Sequence, residues 1–278
     1  MADITAADIK KIRELTGAGM TDCKNALVEA DGDTAKAVEL LRIKGLKGVA
    51  KREGRAASNG LIAARLEGTS TATLLELNCE TDFVAKSEKF QALAERVVDA
   101  AIGSSDINAL MDQSVDGQPL RRVLEDAGAL LGEKIELRRV ASVRGAHVGS
   151  YLHKTNPDLP PQLGVLVELS GAAQGADQLA KEVAQHIAAF APQYVTRAEV
   201  PEDVVAKERE IAEATAKEEG KPAAAIAKIV EGRVAGFFKE NVLVEQAFAK
   251  DSKKTVGKVL EEAGAQVTGF ARFKVGQA

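Results

Sequence analysis

Apolar residues recur at helical spacing three times within the first 55 residues of the chain. Gly17 follows the first stretch and the turn residues 31–32 follow the second. A glycine directly after a helix commonly adopts the left-handed conformation that ends it, and we expect Gly17 to do so. Thr21 is the expected N-cap of the second helix, and Asp33 or Thr34 that of the third. The positions predicted to face a common core are Ile9, Ile12 and Leu15, then Ala26, Leu27 and Ala30, then Ala37, Val38 and Leu41.

This pattern predicts an N-terminal domain of three short helices over residues 1–55, the first running from about Ala6 to Leu15. Three short helices joined by tight turns are typical of ubiquitin-associated domains. A core of this size is marginally stable by itself. We therefore expect the domain to pack on a partner or on the rest of the chain.

Residues 44–60 contain five basic residues and one acidic residue, Glu53. The basic run suggests two alternatives, a nucleic-acid-binding patch or a solvated hinge. Single-stranded nucleic acid is commonly bound by basic residues interleaved with aromatic ones that stack on bases. The segment has no aromatic residue, so we favour a hinge.

From residue 60 onwards the chain repeats one order of elements, a strand pair, a helix, a second helix and a further strand. The matching stretches are residues 60–63 and 73–77 with 149–153 and 165–169, residues 90–101 with 179–187, and residues 123–128 and 134–138 with 259–264 and 267–273. Agreement in the order of four elements favours a duplicated unit over chance similarity. We therefore predict two core subdomains, over residues 56–145 and 146–278.

The second subdomain carries an insertion of two amphipathic stretches, residues 203–216 and 223–238. The intervening glycine and proline, Gly220 and Pro222, form a strong helix stop signal. We expect a helical hairpin over about residues 203–238 that projects from the core. The fold class predicted for the whole chain is α+β, a three-helix ubiquitin-associated-like domain followed by two repeated sheet-plus-helices subdomains.

The composition of the chain limits the classes of function and the compartments that are plausible. The 278 residues carry a net charge of −4, which argues against nucleic acid as the main partner because phosphate binding needs a basic surface. The two cysteines, Cys23 and Cys79, lie far apart in the sequence and are expected to be reduced, buried thiols. No signal peptide or membrane-spanning stretch is evident. We expect a cytoplasmic protein with no membrane partner.

No pattern of catalytic or metal-binding residues emerges. The glycines of residues 17–19 follow a helix and lack the lysine of a phosphate-binding loop, so a helix-to-helix turn is the better interpretation. His147, His153 and His186 have no partner at metal-ligand spacing, and we expect His186 at the edge of an apolar helix face. We predict no cofactor, no metal site and no enzymatic activity. The chain is expected to act by binding.

The most informative stretch is residues 74–84, which begins with the alternation of a half-buried strand, Leu75 and Leu77 on one face with Glu76 and Asn78 between them. It continues through polar residues to Phe83, while the next helix is expected only near Ser87. Phe83 is therefore predicted on a connection, where an aromatic side chain needs a cover. The alternative is a buried core residue that closes the sheet. The matching segment of the second unit, residues 170–173, has neither the aromatic nor the acid.

Residues 77–85, LNCETDFVA, closely resemble the central signature of bacterial translation elongation factor Ts, the guanine-nucleotide exchange factor of elongation factor Tu. Residues 16–27, TGAGMTDCKNAL, resemble the N-terminal signature of that family, with Thr21 where a second methionine is common. The resemblance continues at residues 186–189, 191–192, 220–222, 230–233, 245–248 and 255–257. Departures are Ala247 and Ala249, where family members often have proline and valine, and the end of the chain at residue 278 without the extra C-terminal module of some members.

The resemblance implies that the chain binds elongation factor Tu, both GDP-bound and nucleotide-free, and promotes GDP release so that GTP can load. Phe83 would insert between side chains of the partner and disturb its Mg²⁺ and nucleotide site. The alternative function is a protein-binding adaptor that acts through the N-terminal domain. The resemblance assigns the following residues: Asp82, Phe83, Val84 and Ala85 to disturbing the Mg²⁺ site, Thr16, Gly17, Met20 and Lys24 to docking by the N-terminal domain, and His153 to docking by the second subdomain.

Overall fold

The computed structural model describes residues 4–171 and 175–277, apart from the side chains of residues 46, 47, 49 and 50. The chain is an α+β protein with helices packed around two three-stranded antiparallel sheets. Residues 172 and 173, in the segment that the repeat matches to the Phe83 stretch, lie outside the described residues.

The N-terminal part contains the three predicted helices: α1 (Ala6–Thr16), α2 (Met20–Glu29) and α3 (Thr34–Arg52). Gly17 ends α1 in the left-handed conformation, with φ 67°, as predicted. The prediction for Thr21 is wrong, because this residue lies inside α2 and Gly19 is the N-cap. Asp33 caps α3, since its side chain accepts a hydrogen bond of 2.9 Å from the backbone N–H of Ala35.

The core of these helices contains most of the predicted apolar positions. Val38 is only half-buried, and Leu15, expected to face inwards, is 66% exposed. The last turn of α1 therefore presents an apolar side chain to solvent. The buried members of the core are Ile12, Cys23, Ala26, Leu27, Ala30, Ala37 and Leu41.

The basic segment predicted to be a hinge is helical over its first half, because α3 continues to Arg52. Its charges bind other parts of the chain. Lys44 forms an ion pair of 2.9 Å with Glu29, and Arg55 one of 3.1 Å with Glu80. These two cations are therefore not free to bind phosphate.

The first sheet follows, with strand order β1-β2-β5 and antiparallel pairing throughout. Its third strand is added beside the second strand of a hairpin, after a helical excursion. The elements are β1 (Asn59–Glu67), β2 (Thr71–Cys79), α4 (Asp82–Lys86), α5 (Glu88–Ala100), α6 (Ile107–Asp112), β3 (Ser114–Val115), β4 (Gln118–Pro119), α7 (Leu120–Leu131) and β5 (Glu136–Arg144).

The second sheet has the equivalent order, β6-β7-β10, again with the second strand of the hairpin at its centre. The repeated order of elements is therefore present, whereas the division of the chain at residues 55 and 145 stays a prediction. Two short 3₁₀ helices, Arg197–Glu199 and Leu243–Glu245, interrupt this half. The remaining elements are β6 (His147–His153), β7 (Leu163–Ser170), α8 (Ala176–Phe190), α9 (Glu202–Glu218), α10 (Ala223–Asn241), β8 (Ala247–Phe248), β9 (Asp251–Thr255), α11 (Val256–Glu262) and β10 (Gln266–Lys274).

Strand β2 is buried along its whole length, so the prediction of a half-buried strand is wrong. Leu75 and Leu77 pack with side chains of α5 and α7 in the core of the first half. The opposite face, including Leu74, packs against Leu166 and Val148 of the second sheet. The strand lies between two layers because the sheets face each other, which a single strand pattern does not reveal.

A charged network joins the two sheets at this contact. Glu76 of β2 is fully buried and accepts a hydrogen bond of 2.8 Å from the Nε of Arg139. Its other carboxylate oxygen accepts the backbone N–H of Gly276 at 2.9 Å, and Arg139 donates to the carbonyl of Lys274 at 3.0 Å. The Arg139 guanidinium also lies 4.5 Å from the ring centre of Phe273. These contacts hold residues 273–276, near the end of the chain, against the first sheet.

Helices α9 and α10 form the predicted hairpin and extend the expected ranges by a few residues. Arg233 of α10 donates to both carboxylate oxygens of Glu219, each at 2.8 Å, and ties the tip of the hairpin together. Ile211, in the first of the two amphipathic stretches, remains 48% exposed. In the described parts of the chain no helix, these two included, combines the length and apolar character needed to cross a membrane.

Candidate functional site

Phe83 lies on the five-residue helix α4, where a connection was predicted. Thr81 caps this helix, accepting a hydrogen bond of 3.4 Å from the backbone N–H of Val84. Ser87 ends α4 and caps α5. The Phe83 side chain is 83% exposed, so the alternative of a buried core residue is wrong. A phenylalanine ring with this exposure is available for contact with a partner.

The residues around Phe83 divide between core and solvent. Ala85 is fully buried, and Val84 is partly buried against the same core. Asp82 is partly exposed and forms an ion pair of 3.0 Å with Lys86. The hydrogen bond and charge of Lys86 lower the pKa of the Asp82 carboxyl. Among the predicted residues of this segment, Phe83 is the most exposed, Asp82 is partly exposed beside it, and the Ala85 side chain faces the core.

Glu133, which the sequence interpretation missed, supports this segment from the turn after α7. Its carboxylate accepts the backbone N–H groups of Glu80 and Thr81, both at 3.0 Å, and the Thr81 hydroxyl. In return the Glu80 carboxylate accepts the backbone N–H of Lys134 at 2.7 Å. That bond, followed by those from Arg55, lowers the pKa of Glu80. An acidic residue 52 positions away leaves no local sequence signal of this contact.

Cys79 lies directly below the segment and donates to the carbonyl of Thr81 at 3.2 Å. Burial, with a further contribution from the charge of Glu133, raises the pKa of the Cys79 thiol to about 12. A buried thiol that stays protonated is a poor nucleophile. Cys79 is therefore a structural residue of this site. The prediction that it is a reduced, buried thiol is confirmed.

The predicted docking residues of the N-terminal part are clustered at the junction of α1 and α2. Thr16 donates from its hydroxyl to the carbonyl of Ile12 at 2.7 Å, which orders the end of α1. Met20 is 59% exposed, and Lys24 is exposed one turn further along α2. Leu15, at the end of α1, and Met20, at the start of α2, are thus two large exposed apolar side chains on either side of the Gly17 loop.

The loop at Gly17 contacts elements adjacent to the Phe83 segment. A Cβ at Gly17 would overlap the Cδ1 of Leu130 at the end of α7, and it would lie 3.6 Å from the Nζ of Lys89 in the first turn of α5. Behind this loop, a cleft of about 680 Å³ separates the N-terminal helices from α7 and is bridged by the Arg42–Asp126 ion pair of 3.2 Å. The end of α7 therefore contacts both the Gly17 loop, which belongs to the predicted N-terminal docking residues, and, through Glu133, the base of the Phe83 segment.

His153 belongs to the second half and lies at the exposed end of β6. Its Nδ1 is 3.1 Å from the hydroxyl of Tyr151, and the two rings stack with centroids 6.0 Å apart. These contacts order the imidazole at the surface. The atoms nearest to Gly17 belong to Leu130 and Lys89 and not to β6, so His153 is not part of the same cluster.

His186 is fully buried, so its expected position at the edge of an apolar face is wrong. Its Nε2 lies 2.9 Å from the side-chain oxygen of Gln246, and its Nδ1 accepts the backbone N–H of Ala249 at 3.2 Å. A search of the described residues finds no group of three or more His, Cys, Asp or Glu side chains arranged to hold a metal ion.

Comparison with known proteins gives a consistent result. The Elongation factor TS family profile matches residues 80–277. A protein of Acidothermus cellulolyticus named Elongation factor Ts is 62% identical over the full length of both chains. Proteins of the same name from Thermobifida fusca and an Arthrobacter species are each 57% identical, over 100% and 99% of this chain and 100% of their own lengths.

Proposed function

Because the chain belongs to the elongation factor Ts family and is thus a translation elongation factor, we propose that it binds elongation factor Tu and promotes the release of GDP from it. Binding would involve both the GDP-bound and the nucleotide-free partner. The chain contributes binding energy and no covalent chemistry of its own. The exposed ring of Phe83 on α4 is the observation that carries the proposal.

The nucleotide site of the partner is vulnerable to a small displacement. A GTPase holds its nucleotide through Mg²⁺ that bridges phosphate and protein oxygens, and Mg²⁺ requires near-ideal octahedral geometry. Phe83 would insert between partner side chains near this ion, with Asp82 acting beside it through polar contacts. Insertion shifts the ligands of the ion and weakens the hold on GDP.

The energy available from one ring limits its contribution. Burying a phenylalanine side chain is worth roughly 1.5–3 kcal/mol, and about 1.4 kcal/mol corresponds to a factor of ten in rate. Phe83 therefore supplies at most about a hundredfold of the acceleration. The remainder comes from docking, for which Met20 and Lys24 on α2 and His153 on β6 offer exposed side chains.

Linkage constrains the affinities in this cycle. A factor that weakens GDP binding must itself be bound more weakly in the presence of GDP, by the same factor. Several modest contact areas suit a complex that must form and dissociate in every round. We propose that the N-terminal domain of residues 1–55 and the second subdomain of residues 146–278 supply such areas on either side of Phe83.

The test is the substitution Phe83→Ala, assayed by the release of fluorescent GDP from elongation factor Tu. We expect the maximal release rate to fall by about ten- to a hundredfold, with little change in the melting temperature because the ring is exposed. Phe190→Ala is the matched control, since Phe190 is 52% exposed at the end of α8. Equal release rates for the wild type and Phe83→Ala would remove Phe83 from the mechanism.

The adaptor alternative predicts a different pattern. If the N-terminal helices alone carried the function, Met20→Ala would abolish partner binding and Phe83→Ala would change nothing. The close packing of Gly17 on Leu130 and of Gly45 on Ala129 argues against a detached adaptor domain, because it places these helices directly against α7.

A further inference from the structure

Two turns meet directly below Phe83. One connects β2 to α4 and contains Glu80 and Thr81, and the other connects α7 to β5 and contains Glu133 and Lys134. We call the reciprocal hydrogen bonds between them the Glu80–Glu133 contact. Glu133 accepts three of these bonds, from two backbone N–H groups and the Thr81 hydroxyl, and Glu80 accepts one.

The helix that carries Phe83 is too short to orient itself. A helix of five residues forms few internal hydrogen bonds, and short helices are unstable unless other contacts hold them. The backbone N–H groups of Glu80 and Thr81 immediately precede the helix, and Glu133 binds both of them. The direction in which α4 leaves the sheet thus depends on a carboxylate outside the helix.

The same end of α7 also contacts the N-terminal docking residues. Leu130 lies against Gly17 so closely that a Cβ at Gly17 would overlap it. Glu133 follows only three residues later. Residues 130–133 therefore contact both the loop at Gly17 and the base of the Phe83 helix.

From this geometry we propose that Glu133 is a positioning residue, which sets the orientation of Phe83 relative to the docking surface of the N-terminal helices. The inference rests on the proposed exchange function. Glu133 itself does not need to touch the partner, because its carboxylate is occupied by Glu80 and Thr81.

Loss of Glu133 should lower the maximal rate of GDP release, which depends on the orientation of Phe83, without changing the concentration for half-maximal rate, which depends on docking. Hydrogen bonds to a charged acceptor are about twice as strong as neutral ones, so Glu133→Ala releases the turn at Thr81. We expect the maximal rate of GDP release at saturating factor to fall about tenfold. The concentration for half-maximal rate should stay within about twofold, because the surface at Met20 and Lys24 is unchanged.

A conservative variant and a matched control sharpen the test. Glu133→Gln keeps one neutral acceptor and should recover part of the lost rate. Glu199 is the control because its carboxylate also binds a turn, accepting the backbone N–H of Val195 at 2.9 Å and lying near the Thr196 hydroxyl. Glu199→Ala removes a similar contact in the other half of the molecule. It should leave the maximal rate within about twofold of the wild type.

Two further measurements distinguish positioning from general loss of structure. Combined with Phe83→Ala, the Glu133→Ala substitution should cause no further loss of rate, since an absent ring cannot be misplaced. In the free protein, hydrogen–deuterium exchange at the amides of Glu80 and Thr81 should speed up at least tenfold in Glu133→Ala and not in Glu199→Ala.

The inference is overturned if Glu133→Ala retains the wild-type maximal rate, or if its loss multiplies with that of Phe83→Ala. Unchanged amide exchange at Thr81 would overturn it as well. If instead GDP is released from elongation factor Tu at the wild-type rate in the presence of the Phe83→Ala variant, the proposed function of Phe83 is wrong. Hydrogen–deuterium exchange in the free protein still decides whether Glu133 holds the turn.

Discussion

At the scale of single residues, His186 shows how burial decides a protonation state. Its Nδ1 accepts a backbone N–H from Ala249, so the proton of the neutral ring lies on Nε2 and is donated to Gln246. The ring stacks on Phe190 with centroids 4.7 Å apart. Burial lowers the pKa of His186 below its usual 6.5, and the hydrogen bond to Gln246 offsets only part of that shift.

This environment predicts a pH dependence of stability. Since the pKa in the folded state lies below the value of 6.5 in the unfolded state, the unfolded chain binds the extra proton first. Stability is therefore complete above about pH 6.5 and falls as the pH drops below it, with a slope of at most about 1.4 kcal/mol per pH unit for one proton. Urea unfolding between pH 7.5 and 5 measures this slope.

The variant His186→Gln should flatten the acid side of that curve, because it removes the titrating group. His153→Gln is the control, since His153 is exposed at the end of β6, and it should keep the wild-type pH dependence. The same slope in His186→Gln and wild type would show that other groups cause the loss.

Individual residues also show where sequence reasoning succeeds and where it ends. Phe83 was identified because an aromatic residue between a strand and a helix start is a local anomaly. Glu133 was missed because its role depends on contact with Thr81, 52 residues earlier. The full burial of Glu76 was not predicted, because the alternation along β2 does not reveal the second sheet that packs on its other face.

At the scale of elements, the docking of α1 and α2 on α7 depends on a glycine. Gly17 has φ 67°, which a side chain disfavours, and it also lies against Leu130. Helix α3 approaches α7 in a similar way, since a Cβ at Gly45 would lie 2.8 Å from the Cβ of Ala129. Packing on α7 also explains why α3 continues through residues predicted to form a hinge.

The substitution Gly17→Ala should therefore destabilise the protein by two mechanisms. The left-handed backbone costs about 1 kcal/mol for a residue with a Cβ. Overpacking against Leu130 adds roughly 1 kcal/mol or more. We expect a larger fall in the unfolding free energy, measured in urea, than the backbone conformation alone would cause.

Gly220 provides the comparison, because it has φ 68° after α9 and open space where a Cβ would stand. Gly220→Ala should show the backbone cost alone. Adding Leu130→Ala to Gly17→Ala should remove much of the difference between the two glycine variants. Equal losses for Gly17→Ala and Gly220→Ala would mean that Leu130 moves aside without cost.

At the scale of the whole molecule, duplication explains the arrangement of the two sheets and not the site. Both sheets place the second strand of a hairpin at the centre, and the repeat was visible in the sequence as a shared order of elements. The facing of the two sheets was not visible, because it arises from contacts such as Leu74 with Leu166 between residues far apart in the chain. The central strand of the first half is followed by the exposed Phe83, whereas the sequence that follows β7, residues 171–174, contains no aromatic residue.

The contact between the two sheets includes a charged group, since Glu76 binds Arg139 and the backbone of Gly276. Removing one partner of a buried ion pair is strongly destabilising, by about 3–5 kcal/mol. Arg139 retains some exposure, so we expect Glu76→Ala to cost about 3 kcal/mol. Glu261→Ala, which removes an exposed ion pair with Lys258, should cost less than about 1 kcal/mol.

The location of this network predicts more than a lower melting temperature. Gly276 follows β10, which is one of the two edge strands of the second sheet, while Glu76 belongs to the central strand of the first. Loss of the carboxylate therefore weakens the junction between the sheets more than either sheet. In Glu76→Ala we expect hydrogen–deuterium exchange to increase first at Gly276 and along β10, before the centre of β2 loses protection. A uniform loss across both sheets would instead show that the two halves unfold as one cooperative unit, with Glu76 contributing to the stability of both.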